Sequence, residues 1–178
     1  MLKNLLIYRI ALFNIAMVAL MGLFATKGWI QYVFANDHSR ISFGIAALLV
    51  VGLVGCFHRA TKVSKALNTL KSGEVSLGRG AYTTDFQKDI SKMPIKNRYL
   101  HILLDTFTGL AIIGTLIGLV LMASSINTSD LQGSLPAVLK NVSVAFMATL
   151  TGITAAMWLA VPVCMLDTAT ALLVKDSE

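Results

Sequence analysis

The chain has 178 residues, 56% of them hydrophobic and 13% charged, with a mean hydropathy of +0.72. A water-soluble globular domain carries roughly twice that charged fraction, so that class is excluded. The net charge of +6 forms no basic face with interleaved aromatics; its cations lie between long apolar runs, which argues against nucleic-acid binding and for membrane orientation.

Four apolar runs, 10–26, 41–57, 102–124 and 142–166, predict transmembrane helices over about 8–28, 41–60, 102–124 and 141–166. A hydrocarbon core of ~30 Å takes about 20 helical residues, and helices satisfy every backbone polar group internally. Asn14 interrupts the first run, and Asp105 sits near the start of the third. The second and fourth carry no charge. Lys3 and Arg9 precede the first run as they would in a signal peptide, but no small-x-small cleavage site follows, so the segment is read as retained.

Arg59, Lys62, Lys65, Lys71, Arg79, Lys88, Lys92, Lys96 and Arg98 crowd between the second and third runs, whereas the opposite side has Lys27, Arg40 and Lys140. The positive-inside rule places loop 58–100 and both termini in the cytoplasm, and loops 29–40 and 125–140 on the opposite side, the periplasm if the membrane is a bacterial inner membrane as the resemblance given below implies. Trp29 and Tyr32 then fall near the outer interface as anchoring aromatics. Ala60, Val63, Leu67 and Leu70 recur at helical spacing, so the second helix is expected to continue below the membrane as an amphipathic stalk. Gly73, Gly78 and Gly80 end it, and 81–100 reads as a short basic connection. The expectation is an all-α membrane protein, one four-span domain over 1–178 with a short cytoplasmic helical extension.

Cys56 and Cys164 lie inside apolar runs and read as small buried residues. His38, His58 and His101 fall at span edges and read as interfacial polar groups. Their spacing fits no metal site. No nucleophile–base pair, phosphate loop or cofactor motif is present, so the chain is not read as an enzyme.

Two helices differ in kind from the rest. On the third, Asp105, Thr108, Ala111, Thr115, Gly118 and Met122 recur at three- and four-residue steps and share a face. Gly114 and Gly118 form a G-x-x-x-G step that permits close helix approach. On the fourth, Ala145, Thr149, Gly152 and Ala156 form a second small stripe, with Thr151 and Thr154 pointing elsewhere. Spacing alone admits two functions for these stripes. Ordinary packing uses small residues and hydroxyls in this way; a narrow ion path would use threonines to coordinate water or a cation without charge of their own.

The string GLAIIGTLIGLVLM at 109–122 resembles the G-L-x-G-T-x-x-G-[IL]-[IM] signature of the MotA/TolQ/ExbB proton-channel family. VAFMATLTGITAA at 144–156 resembles the A-L-x-[AG]-T-x-x-G-[IL]-x-x-A of the same family, and Pro162 lies near its downstream proline. The resemblance covers about 105–165. It implies a pentamer around the dimer of a single-span partner similar to MotB, TolR or ExbD, which brings an aspartate into the pore. It implies that Thr115 and Thr149 line the ion path, with Thr108 along it, while Gly114, Gly118 and Gly152, with Ala145 and Ala156, set the helix contacts. Val144 replaces the acid of the TolQ/ExbB branch, as in MotA-like members. Ala148 stands where sodium-driven relatives often place a second hydroxyl, which favours protons over Na+. Asp105 is either a cytoplasmic exit group or a solvated acid favoured by the helix start.

No acid lies in the central half of any span, so a mid-membrane carboxylate has to come from a partner. The implied function is the ion-channel subunit of a rotary motor; the alternative is a passive tetraspan scaffold or assembly protein. A pore-forming lysis protein would carry a basic terminal tail, whereas 167–178 has one lysine against three acids.

Overall fold

A computed structural model describes residues 5–36, 41–71, 92–127 and 129–177. Five helices account for nearly all of them: α1 (Leu6–Thr26), α2 (Trp29–Asn36), α3 (Ile41–Lys71), α4 (Met93–Ser124) and α5 (Leu131–Ser177). All except α2 are long and apolar enough to cross a membrane, so the four expected spans are present.

The helices are longer than their apolar runs. At 1.5 Å per residue α5 extends about 70 Å and α3 and α4 nearly 50 Å, against a hydrocarbon core of ~30 Å. Most of the excess gathers where α3 ends and α4 begins, while α5 also starts at Leu131, ahead of its apolar run at the other end. Ala60, Val63 and Leu67 are buried there, as the stalk reading required, and they pack with Met93 and Leu100 of α4 and Val163, Leu166, Ala169 and Leu173 of α5 in one core. The stalk is therefore a three-helix bundle in place of a lone amphipathic extension. Residues 93–100 are the first two turns of α4, with Pro94 at the helix start where a missing N–H costs nothing, and not part of an irregular connection. Leu70's side chain and Gly73, Gly78 and Gly80 lie outside the described residues.

At the other end, 29–36 forms the short helix α2. Gly28, with φ +76°, makes the turn out of α1 in a conformation that costs glycine little. Trp29 stacks on Phe24 with ring centroids 5.4 Å apart, and Trp29 and Tyr32 are both exposed, consistent with interfacial anchors.

Helix α5 is the hub. It pairs most extensively with α4, next with α3, and also meets α1 and α2. Of its most apolar stretch 39% is buried, against 11% for α1, so α1 is the peripheral element. A polar pin fixes α1: Trp158 Nε1 donates to Asn14 Oδ1 at 3.0 Å, and Asn14 Nδ2 donates to the Ile10 carbonyl at 2.9 Å. The residue that interrupts the first apolar run thus has a packing role.

Candidate functional site

Helices α4 and α5 form an antiparallel hairpin whose contact is built from residues with little or no side chain. A Cβ placed on Gly118 would lie 2.5 Å from Ala145 Cβ, and one on Gly114 would lie 2.4 Å from Ala148 Cβ. From the α5 side, a Cβ on Gly152 would lie 2.5 Å from Ala111 Cβ and 3.1 Å from the Phe107 carbonyl oxygen. The two backbones therefore touch along about three turns, as small residues at regular helical steps allow. The predicted glycines and Ala145 all lie in this contact, and Ala156 packs against the main core. Ala148 belongs to it too; sequence reasoning had considered that residue only for ion choice, although its position opposite Gly114 follows once an antiparallel register is assumed.

Inside this tight seam Thr115 and Thr149 meet. Their hydroxyl oxygens are hydrogen-bonded to each other. Each also reaches the carbonyl one turn back on its own helix: Thr115 Oγ1 to Ala111 O at 2.9 Å, and Thr149 Oγ1 to Ala145 O at 3.1 Å. Two hydroxyl protons thus serve three contacts, since each hydroxyl donates one bond and accepts up to two. One hydroxyl donates across the seam while the other donates to its own helix, and the roles can exchange. Both threonines are half-buried, and by this count a lone pair is left over at this level.

Thr108 and Asp105 lie on the same side of α4 but are exposed. Thr108 donates to the Leu104 carbonyl at 3.4 Å. The structure brings neither of them into contact with the Thr115–Thr149 pair. Thr151 turns the other way, donating to Met147 O at 2.8 Å and reaching the buried Ser42 of α3 at 3.3 Å. Thr154 donates to the Leu150 carbonyl. Both point elsewhere, as their spacing predicted.

A second polar assembly, absent from the sequence reading, joins three helices at the Met93 end. Arg59 of α3 is buried, the one buried cation among the described residues. Its Nη2 donates to Met93 O at 2.9 Å and to Asn97 Oδ1 at 3.1 Å. Asn97 Nδ2 donates in turn to Asp167 Oδ1 at 3.2 Å, and Asp167 Oδ2 lies 2.8 Å from His101 Nε2. No buried side-chain polar atom among the described residues lacks a partner. His101 had been read as an isolated interfacial group. Its partner, Asp167, lies 66 residues away, a separation that no local spacing signal spans.

Cys56 is buried as expected, but Cys164 is exposed, because it lies on the outer face of α5. Among the described residues no group of histidine, cysteine and acidic side chains could hold a metal ion.

The fold and this site define a polytopic helical membrane protein whose two most closely packed spans enclose a hydroxyl pair. The model of the MotA/TolQ/ExbB proton channel family matches residues 58–171. That is more than half of the chain, and the chain belongs to this family of channels. It is accordingly a multi-pass inner-membrane protein. No curated protein and no solved structure gives a significant match to it.

Proposed function

We propose that this chain is the proton-conducting subunit of an inner-membrane rotary motor, five copies of which surround two copies of a single-span partner of the MotB/ExbD/TolR type. The reading rests on the Thr115–Thr149 hydroxyl pair, held between two touching helices inside their apolar runs. The pair can give or receive a hydrogen bond without charge, and no acid of this chain lies between Asp105 and Asp130 or between Asp130 and Asp167. A carboxylate supplied by the partner at that level carries the proton, because an apolar surrounding raises a carboxylate's affinity for one.

The exposed apolar faces agree with an assembly. Ile112, Leu116 and Val120 on α4 and Phe146, Leu150, Ile153 and Met157 on α5 are all more than half exposed in the single chain. Ile41, the first residue of α3, sits beside Gly114, so α3 begins at the level of the threonine pair. Neighbouring subunits, the partner helices and lipid cover these surfaces. The basic stretch between α3 and α4 supports a cytoplasmic position for that end and for both termini.

The competing reading, a passive scaffold, is favoured by the back-bonds of both threonines to their own helices, which ordinary packing also produces. Assembly separates the two. The complex, purified from native membranes through a tag on this chain, is weighed by native mass spectrometry. A five-to-two composition with a second chain bearing an aspartate in its single span supports the motor. This chain alone, or with companions lacking such a residue, refutes it.

A further inference from the structure

We infer that His101, oriented by Asp167, is the proton-release group through which protons that have passed the Thr115–Thr149 level leave the protein at its Met93 end; this rests on the function proposed above. Two independent features point to it. The first is position. On α4 the residues 101, 105, 108, 112 and 115 follow steps of three and four, so each projects within about 40° of the direction of His101 at 100° per residue. The face that carries Thr115, Thr108 and Asp105 therefore leads to His101, about 21 Å along the axis from Thr115.

The second is the way His101 is held. A carboxylate can only accept a hydrogen bond from the ring, so the 2.8 Å contact with Asp167 Oδ2 places a proton on Nε2 and leaves Nδ1 as the acceptor. Nδ1 has no partner among the described residues, and the His101 side chain is 53% exposed. An imidazole anchored at one nitrogen by a carboxylate and open to water at the other is built to take up and give off a proton at the open side. Uptake at Nδ1 gives an imidazolium whose charge faces Asp167. Loss of that same proton from Nδ1 to water or buffer restores the starting tautomer, with no net change in the protein.

The rest of the cluster keeps Asp167 in place. Its second oxygen accepts from Asn97, whose own oxygen is fixed by the buried Arg59. The cation of Arg59 thus stands behind the carboxylate through one amide. The other titratable or charged groups on the surrounding turns are Cys56 and His58 of α3, Arg98, Tyr99 and Asp105 of α4, and Cys164 of α5. Asp105, one turn from His101, is on the approach face. Packing alone would require neither an exposed ring nor a face that continues to it.

The test measures proton flux. The complex purified from native membranes is placed in vesicles containing a pH dye, and a valinomycin-set potassium gradient drives protons. His101→Gln retains a hydrogen-bonding group toward Asp167 but cannot shuttle a proton. We expect its flux at low buffer concentration to fall at least about tenfold, with assembly and melting temperature unchanged. His101→Ala should behave likewise and recover when free imidazole is added on the His101 side. Thr115→Val should stay silent at every imidazole concentration. Normal flux in His101→Gln at low buffer, with Thr115→Val silent, would overturn the role of His101 and leave the channel standing. So would a slow His101→Ala that imidazole does not rescue. Absence of flux in the wild type, or full flux in Thr115→Val, would remove the channel reading and this inference together.

Discussion

At the scale of single residues, the α4–α5 seam makes sharply different demands on neighbouring glycines. A methyl on Gly114 would meet Ala148 Cβ at 2.4 Å, while its next neighbours are no closer than 3.6 Å. Gly114→Ala should therefore destabilise by about 1–3 kcal/mol through overpacking, and Ala148→Gly in the same chain should restore most of the loss. Gly118 is different, because its nearest neighbours include the Cα and N of Ala145, both at 2.7 Å. Gly118→Ala should be at least as damaging, and Ala145→Gly should not rescue it. Gly109 has nothing within 4 Å, so Gly109→Ala should be tolerated or gain up to about 1 kcal/mol from helix propensity. Unfolding followed in detergent compares the five variants. Equal rescue of both pairs would contradict the stated backbone approach.

Arg59 raises a different residue-scale question. A buried cation left without a partner costs far more than a matched pair gains. Asn97→Leu removes the amide that receives Arg59 and links it to Asp167, leaving the buried guanidinium only the neutral Met93 carbonyl. The expected loss is about 3 kcal/mol, read from the same unfolding curves. Arg59→Met together with Asn97→Leu should be milder than Asn97→Leu alone. A double variant worse than the single one would show that the cation is not the costly partner.

At the scale of elements, the extension beyond the membrane is the part of α5 that its apolar run did not announce. Val163, Leu166, Ala169, Thr170 and Leu173 are buried at three- and four-residue steps, a helical stripe that runs past Asp167. Leu173→Ala should cost about 2–5 kcal/mol as a buried large-to-small change, while Leu172→Ala, next to it and exposed, should cost little. Indistinguishable melting curves would mean that the three-helix extension does not form. The four spans and the small-residue stripes were legible because each is written in one continuous stretch with a period of its own. The first two turns of α4 were not, since Met93, Asn97 and Leu100, which they bury, are interleaved with Lys96 and Arg98 in a stretch whose composition reads as polar and basic. Helix α2 escaped notice because it is eight residues long. The Arg59–Asn97–Asp167–His101 chain escaped for another reason: hydrogen bonds between separate helices have no signature in local spacing. Of the proposed ion path, the pairing of Thr115 with Thr149 could be expected from two matching stripes, whereas the shared-proton count at that pair needed the third dimension.

At the scale of the whole molecule, family membership and four apolar helices define a channel-type membrane protein, and the orientation proposed for it rests on the asymmetry of charge. In a chain lacking Cys56 and Cys164, single cysteines at Ser129 and Lys92 report the two sides. An impermeant maleimide should label Ser129→Cys in intact cells and Lys92→Cys only after permeabilisation; the reverse pattern would invert the topology. The proposed motor depends above all on the hydroxyls inside the seam. The most direct measurement compares proton flux through the vesicle-embedded complex carrying Thr115→Ser with that carrying Thr115→Val. The account predicts that serine, which keeps the hydroxyl, conducts near the wild-type rate, and that valine, which keeps the shape, assembles normally and conducts at least about tenfold less. Equal conduction by the two variants would contradict it.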